Sequence, residues 1–259
     1  MNFQFKQRTM QDVAYLIDEY IKTLSSPFDS FLEDHIVSSK FYTIDKDLET
    51  IGYFAIHEDK MLTQLYLKHR YISLGQKIFD EILQNFNLVN AFVPTCDELL
   101  LSLVIDKEVV VKKQAYFFQD GKLPVDSSNL YNSGVFKVAT KEDIPEILKV
   151  TTDFFDKLEE RVERGEIFVL MENAVLLGAG IIEKGRVLKG YTSVGMFTNE
   201  GYRQKGIGRT IITNLKNWCY ENNQIPICGC WYYNTKSKMT LESSGFVTKT
   251  RLLNIEFCK

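Results

Sequence analysis

A basic segment punctuated by two glycines, lying between a strand and a helix, is the part of this sequence best suited to bind a ligand. Arg203, Lys205 and Arg209 surround Gly206 and Gly208. Because glycine has no Cβ, successive backbone N–H groups here can point at one anion, and the unpaired N–H groups at the start of the following helix point there too. Such chemistry suits a pyrophosphate. The alternative is an ordinary turn that begins the helix.

The cysteines indicate neither a metal site nor a nucleophile. They are odd in number and lack the spacing of a zinc site, and none has a plausible partner base beside it in the sequence. We therefore predict free thiols, mostly buried, and no metal. The five cysteines are Cys96, Cys219, Cys228, Cys230 and Cys258.

Length and charge set the outer limits of fold and function. The chain has 259 residues, enough for two ordinary domains or one large one, and a net charge of −3. That charge gives little electrostatic reason to bind a nucleic acid. No apolar run has the length of a membrane span, and the start has no secretory signal. We predict a cytoplasmic protein with no nucleic-acid or membrane partner.

The two halves of the sequence repeat one plan. A strand runs into an N-capped helix at Thr9-x-x-Asp12, and the same pattern returns at Thr140-x-x-Asp143. The alternative is chance similarity between two α/β units. The repeat predicts two domains of one architecture.

The glycine segment also has a counterpart in the first half. Residues 70–75 align with residues 203–208, and each run is followed by a helical apolar stripe. Ser73 stands at the position of Gly206, and Ile72 at that of Lys205. We predict that the first copy no longer binds phosphate.

A polar, turn-rich stretch at residues 120–129 separates the two copies. It predicts a first domain over residues 1–125 and a second over residues 135–259.

Hydrophobic period and turn residues predict the elements of the second half. Three strands form an antiparallel meander, and the strands on either side of the long helix must be parallel. A last strand finishes the second unit, after a left-handed Gly245. The predicted strands are 135–139, 167–171, 175–183, 189–198, 227–233 and 247–257, and the predicted helices are 140–155, 156–164, 206–221 and 235–243.

This order of elements resembles the GNAT superfamily of acyl-CoA-dependent N-acetyltransferases. Arg203, Gly206 and Gly208 fit the family's Arg/Gln-x-x-Gly-x-Gly/Ala signature, and the run from Asn234-x-x-Ser237 to Glu242-x-x-Gly245-Phe246 resembles its second signature. The resemblance covers residues 136–257 well, and the first half as a degenerate copy. The fold class it implies is α/β (α+β), with two tandem acyl-CoA N-acyltransferase folds, each a mixed, mostly antiparallel sheet flanked by helices.

The resemblance also implies acetyl-CoA as co-substrate. In the family, the strand before the loop and its parallel neighbour splay apart, and the pantetheine lies in the gap. Gly195 is a position where a bulge that begins this splay is tolerable. Asn234 matches the asparagine that reaches the cofactor, although an N-cap role fits it equally. The cofactor-binding residues implied are Met196, Phe197, Thr198, Arg203, Gln204, Lys205, Gly206, Ile207, Gly208, Arg209 and Asn234.

The residues for proton transfer depart from the family pattern. An ammonium group has a pKa of about 10, so a base or a water relay must remove its proton before attack on the thioester. Thr192 stands where some members carry a catalytic glutamate, and Leu241 replaces the usual tyrosine acid. The remaining candidates are Glu183, Tyr232 and Tyr233, with Tyr191 and Ser193 as further possibilities.

Three functions stay open from the sequence. The first is acetyl transfer to a primary amine of a small molecule, without a covalent enzyme intermediate. The second is a non-catalytic acyl-CoA-binding module, and the third is a structural tandem GNAT module. The aromatic-rich first domain is expected to shape the amine pocket or to supply core, and the protein to be a monomer or a homodimer.

Overall fold

The computed structural model describes residues 3–258, which form a twelve-stranded sheet with α-helices on both faces. This is the mixed, helix-flanked sheet predicted from the sequence. The strands are β1 (Phe3–Arg8), β2 (Lys40–Lys46), β3 (Glu49–His57), β4 (Met61–Leu67), β5 (Asn90–Pro94), β6 (Val109–Asp120), β7 (Val135–Val138), β8 (Ile167–Glu172), β9 (Val175–Lys184), β10 (Tyr191–Thr198), β11 (Ile225–Trp231) and β12 (Phe246–Phe257). The α-helices are α1 (Ala14–Thr23), α2 (Ser30–Val37), α3 (Gly75–Asn85), α4 (Glu98–Ile105), α5 (Ile144–Thr151), α6 (Leu158–Glu163), α7 (Ile207–Glu221) and α8 (Thr235–Ser243).

The two halves of the chain exchange their last strands. The order across the sheet is β1-β2-β3-β4-β5-β12-β6-β11-β10-β9-β8-β7. Strand β12 pairs with β5 of the first half, and β6 pairs with β11 of the second. The sequence led us to expect residues 247–257 to finish the second unit by itself. Hydrophobic alternation identifies a strand but not its neighbour, and here the long strands β6 and β12 pair with each other along their length.

The exchanged strands give the two halves a shared core. Leu252 and Ile255 of β12 are fully buried among apolar residues of the first half. Phe117 of β6 packs in the same cluster as Leu188 and Ile227 of the second half. Burial of apolar surface therefore stabilises the two halves jointly.

Neighbouring residues of β11 show how the helices divide between the two faces. Ile227 packs in one cluster with residues of α1 and α2, whereas Cys228 packs with residues of α7. Successive side chains of a strand point to opposite faces, so α2 of the first half and α7 of the second lie on opposite sides of β11.

Two glycines of β9 let α7 approach the sheet closely. A Cβ at Gly180 would lie 2.8 Å from Ile211 Cγ2 and 2.9 Å from Leu215 Cδ1, and one at Gly178 would lie 2.8 Å from Ile211 Cδ1. The apolar stripe of α7 thus packs directly on β9. This packing fixes the start of α7 beside the end of β10.

The first predicted helix of the second half is clearly shorter than expected. Thr140 forms its capping box, as its pattern indicates, at a 3₁₀ turn over Lys141–Asp143, and α5 follows from Ile144 but ends at Thr151 rather than at residue 155. Thr151 Oγ1 bonds back to Ile147 O, and Thr152 has a φ of 53°. Threonine side chains compete for backbone hydrogen bonds in this way, and the chain turns so that Phe155 enters the core.

Candidate functional site

Strands β10 and β11 form a fork. They pair in parallel only from Tyr191 to Ser193, opposite Ile225 to Ile227. Beyond that point β10 continues beside β9 and β11 beside β6. The edge of β10 that faces β11 therefore has no partner strand after Ser193, and its backbone groups are available to an extended ligand.

The fork opens earlier than the sequence indicated. The β9–β10 ladder keeps one register through Gly195, opposite Ile181, so no bulge lies at that glycine. The strands part after Ser193 instead. Gly195 packs against the Ile181 side chain, and a Cβ at Gly195 would lie 2.9 Å from Ile181 Cγ2. Close side-chain packing, rather than a bulge, accounts for this glycine.

The loop before α7 carries a run of unpaired backbone donors. Gly206 has a φ of 82° and Gln204 a φ of 64°, so the chain turns sharply just before the helix begins at Ile207. Within residues 3–258, the backbone N–H groups of residues 204–209 have no hydrogen-bond acceptor. A run of donors at a helix start is a ready anion site.

Glycine at 206 is required by the segment between the two halves as well as by backbone conformation. A Cβ at Gly206 would lie 2.5 Å from Asn129 O. The same segment is held on α7, because Tyr131 N donates to Thr210 Oγ1 at 2.7 Å. A side chain at 206 would therefore displace this segment or the loop.

The basic residues of the loop have only weak local partners. Arg203 pairs with Glu200 at 2.9 Å in an exposed ion pair, and Lys205 lies 5.0 Å from the centre of the Tyr202 ring. Arg209 Nε donates to Ser243 Oγ at 3.0 Å. Exposed pairs of this kind contribute little stability, so these cations can turn to a phosphate at small cost.

Gly208 brings the loop and the open strand edge together. A Cβ there would lie 3.2 Å from Thr198 Oγ1, 3.5 Å from Met196 Sδ and 3.2 Å from Thr240 Cγ2 of α8. Two residues of the β10 edge thus meet the start of α7. One extended molecule with a phosphate end could contact both features.

The residues after β11 are an N-cap and two tyrosines. Asn234 caps α8 through its side-chain oxygen, which accepts from Ser237 N at 3.0 Å. Tyr232 stacks on Tyr116 with ring centres 4.6 Å apart. A hydrogen bond with the Tyr116 hydroxyl, helped by the charge of a nearby lysine, lowers the pKa of Tyr232. Tyr233 is exposed.

Glu183 lies beside the base of the fork. It is the β9 partner of Ser193 in the ladder, so the two side chains share a face. Its carboxylate pairs with Arg161 at 2.9 Å and accepts a hydrogen bond of 2.6 Å from Ser30 Oγ. The charge of this carboxylate is therefore compensated.

The first half of the chain also contributes to the site, which its sequence did not indicate. Helix α2 begins over the fork, where Ser30 N donates to Ser193 Oγ at 2.9 Å. Asp29, the N-cap of α2, lies with its carboxylate against Gly229 of β11. Burial, together with the nearby charge of Glu183, raises the pKa of Asp29 to about 7. In the sequence, Asp29 carries only the signal of an N-cap.

The corresponding loop of the first half has a different conformation. Residues His69–Leu74 form a 3₁₀ turn in which Tyr71 N donates to Lys68 O at 2.8 Å. Arg70 is paired with Glu49. The N–H of Tyr71, the counterpart of the unpaired Gln204 N–H, thus has an acceptor within its own turn.

Two parallel strands of the first half also part after a short pairing. Strands β4 and β5 pair only at Met61 and Leu62 before they part. The rest of β4 is buried, and α4 packs on both strands. The first half therefore repeats the parting of two parallel strands, but α4 packs against its parting strands.

The cysteines are free thiols, as predicted. Cys96, Cys219 and Cys228 are buried. Burial raises the pKa of Cys96 and of Cys219 to about 12, which makes them poor nucleophiles. Within the described residues, no three His, Cys, Asp or Glu side chains are grouped as a metal site.

Models of one family match both halves of the chain. A model described as an acetyltransferase (GNAT) domain matches residues 9–121, and one described as the acetyltransferase (GNAT) family matches residues 136–246. No curated protein matches the chain. No helix in residues 3–258 combines the length and apolar character of a membrane span.

Solved structures of the same fold cover nearly the whole chain. An acetyltransferase of the GNAT family from Colwellia psychrerythraea is 19% identical, with a TM-score of 0.86, over 98% of this chain and 100% of that one. A GCN5-related N-acetyltransferase from Sphaerobacter thermophilus is 11% identical, with a TM-score of 0.68, over 98% and 95%. A tandem GNAT protein from the clavulanic acid biosynthesis pathway is 9% identical, with a TM-score of 0.63, over 98% of each chain. Since both halves match the family and the shared fold extends over both, this chain belongs to the GNAT superfamily and consists of two GNAT domains in tandem.

Proposed function

We propose that this protein transfers the acetyl group of acetyl-CoA directly to a primary amine of a small molecule. The observation that carries this proposal is the meeting, at Gly208, of the unpaired N–H groups of residues 204–209 with the unpaired edge of β10. The first suits a pyrophosphate, and the second suits the amides of a pantetheine arm. Both belong to the second domain, which we take as residues 135–259.

The proposed cofactor contacts divide between the strand and the loop. The β10 edge receives the pantetheine, the loop amides and basic side chains hold the pyrophosphate, and Asn234 adds a side-chain amide while it caps α8. The residues proposed to bind the cofactor are Met196, Phe197, Thr198, Arg203, Gln204, Lys205, Gly206, Ile207, Gly208, Arg209 and Asn234.

Direct transfer requires that amine and thioester meet at the fork. Positioning makes the reaction effectively unimolecular, which can supply a large part of the rate acceleration. Glu183 beside the fork, and Tyr232 or Tyr233 after β11, are the proposed groups for proton transfer. The lowered pKa of Tyr232 suits it to exchange a proton with the departing thiol.

A non-catalytic acyl-CoA-binding module is the second candidate. Two positions favour it. Thr192 is buried, with its hydroxyl bonded to Gln224 Oε1 at 3.2 Å, and Leu241 is buried in the core. Neither residue supplies an acid or a base at these positions.

Calorimetry with CoA and acetyl-CoA, followed by thiol release measured across a panel of amines, tests the proposal. An acetyltransferase binds acetyl-CoA and releases CoA faster when the right amine is present. Binding without release for any amine would support the second candidate, and absence of binding would overturn both. Glu183→Gln, Tyr232→Phe and Tyr233→Phe then test each proton-transfer role, because an essential group lowers kcat by about 10²–10⁴-fold when removed.

A further inference from the structure

The carboxylate of Asp29 lies inside the fork of the second domain. A Cβ at Gly229 would overlap Asp29 Oδ2, so only glycine at that position of β11 leaves room for the carboxylate. Asp29 is 7% exposed, and its near neighbours include Ser193 and Glu183, which line the same small pocket. The first domain thus places an acidic group where the two strands of the second domain part.

The other carboxylates around this pocket are compensated. Glu33 accepts backbone hydrogen bonds from Arg186, Val187 and Leu188, at 3.0, 2.7 and 3.0 Å from Oε1. Glu183 pairs with Arg161. Glu33 thus joins α2 of the first half to residues 186–188 of the second, and Glu183 is paired within its own half.

Asp29 differs because no cation pairs with it among residues 3–258. Its Oδ1 accepts from Leu32 N, at 3.2 Å, as an ordinary N-cap does. Serine or asparagine would cap α2 equally well without burying a charge. A buried carboxylate without a cation is costly and therefore takes up a proton more readily, so Asp29 suits a group that exchanges a proton with a cationic ligand.

We infer that Asp29 is the catalytic base for the acetyl transfer, and that the acceptor is an alkyl ammonium that pairs with it inside the fork. This inference rests on the proposed function and adds to it the residue that activates the amine. The raised pKa of Asp29, due to burial and to Glu183, suits a base that works near neutral pH. The charge of Asp34 also raises the pKa of Asp29. Arg161 and Arg186 pair with the neighbouring carboxylates of Glu183 and Asp34. Cys228 and Cys230 of β11, which lie near Asp29, are un-ionised thiols.

The proton balance of the step is complete. Asp29 takes one proton from the ammonium group and frees the nitrogen lone pair. The nitrogen then forms a C–N bond to the thioester carbonyl carbon, and the C–S bond breaks with its electron pair going to sulfur. The second nitrogen proton goes to the CoA thiolate, and Asp29 later returns its proton to solvent.

The test compares Asp29→Asn with Asp97→Asn. Asp97 is the other buried N-cap aspartate of the first domain; it caps α4 and accepts from Tyr20 at 2.9 Å, away from the fork. We expect Asp29→Asn to bind acetyl-CoA with an unchanged Kd while kcat/KM for an alkylamine falls by about 100-fold or more. In Asp29→Asn, the limb of the kcat/KM against pH profile that rises through about pH 7 disappears. Asp97→Asn keeps both the rate and the limb.

A second pair of measurements separates catalysis from structure. Asp29→Ser also retains an N-cap. If Asp29→Asn folds poorly, Asp29→Ser takes its place and must show the same loss of kcat/KM. With an acceptor amine of low pKa, already neutral at pH 7, the loss in either variant must shrink. Unchanged kcat/KM in Asp29→Asn, or an equal loss for both kinds of amine, overturns the inference while the proposed function stands. Failure of the wild-type chain to bind acetyl-CoA overturns both.

Discussion

The backbone N–H of Ser30 donates a hydrogen bond of 2.9 Å to the hydroxyl of Ser193. Ser30 begins α2 in the first domain, and Ser193 is the last residue of β10 that pairs with β11. One hydrogen bond therefore ties a helix of one domain to the opening of the fork in the other. The position of Asp29, next to Ser30, depends on this tie.

Ser193→Ala tests the tie between the domains. The change leaves the N–H of Ser30 without its acceptor in a part-buried position, which costs about 1–3 kcal/mol. We expect a lower free energy of unfolding and a raised KM for the amine, while the Kd of acetyl-CoA is unchanged. Ser102→Ala, on the exposed face of α4, is the control for loss of a hydroxyl. An amine KM equal to that of wild type would contradict the prediction.

Gly206→Val tests the anion loop. Valine at a φ of 82° is strained, and its Cβ would lie 2.5 Å from Asn129 O. We expect CoA affinity to fall by about tenfold or more, because a strain of 1–3 kcal/mol must be relieved by moving the loop amides. Calorimetry measures the change. Gly201→Val is the matched control, since a Cβ there meets nothing within 4 Å, and equal affinities of the two variants would argue against the loop.

Asp29→Asn has a predicted effect on stability that depends on pH. The pKa of Asp29 is raised in the folded state, so between about pH 4 and pH 7 the native protein holds a proton that the unfolded chain has lost. Stability therefore falls as pH rises through this window. Asparagine removes the penalty, and we expect the variant to be more stable than wild type at pH 8 by on the order of 4 kcal/mol, with little difference at pH 4.

Denaturant unfolding at the two pH values measures this effect, and Asp143→Asn supplies a control of opposite sign. Lys137 and the Thr140 backbone lower the pKa of Asp143, so that carboxylate stabilises the fold above its unfolded pKa and loses this effect as pH falls. Its replacement should destabilise the protein at pH 8. If Asp29→Asn is less stable than wild type at pH 8, burial of the Asp29 carboxylate does not destabilise the native protein.

The exchanged strands predict that neither domain is stable alone. Fragment 1–125 lacks β12, and fragment 135–259 lacks β6, so each leaves a long apolar strand and part of the shared core exposed. We expect each fragment to be insoluble or unfolded by itself and the two to form a 1:1 complex when expressed together. Circular dichroism and size-exclusion chromatography check this. A cooperative thermal transition in either fragment alone would contradict it.

One CoA molecule per chain is expected. In the first domain, Tyr71 N already donates within its 3₁₀ turn and Arg70 is held by Glu49, so its loop offers no comparable anion site. Calorimetric titration should give a stoichiometry near one, and Gly206→Val should weaken that single site. A second site that survives in Gly206→Val would assign cofactor binding to the first domain as well.

Several local features of the fold were predicted correctly from the sequence. Helix α8 has the predicted bounds, Gly245 is left-handed with a φ of 85°, and Thr140 forms its capping box. Gly206 takes the left-handed conformation that its place before α7 favours. Each of these depends on hydrogen bonds and dihedral angles within a few residues, which the neighbouring sequence sets directly.

The order of residues was enough to predict the repeat of two GNAT-like units, the loop before α7 and the parallel strands beside it. Three features depend instead on long-range packing: β12 and β6 change places, the fork opens after Ser193, and Asp29 of the first domain lies against Gly229 of the second. Such contacts join residues far apart in the chain, and they are selected by how whole faces of the sheet pack. No pattern of neighbouring residues encodes that choice, which is why an aspartate that reads locally as a helix cap turns out to lie at the centre of the candidate site.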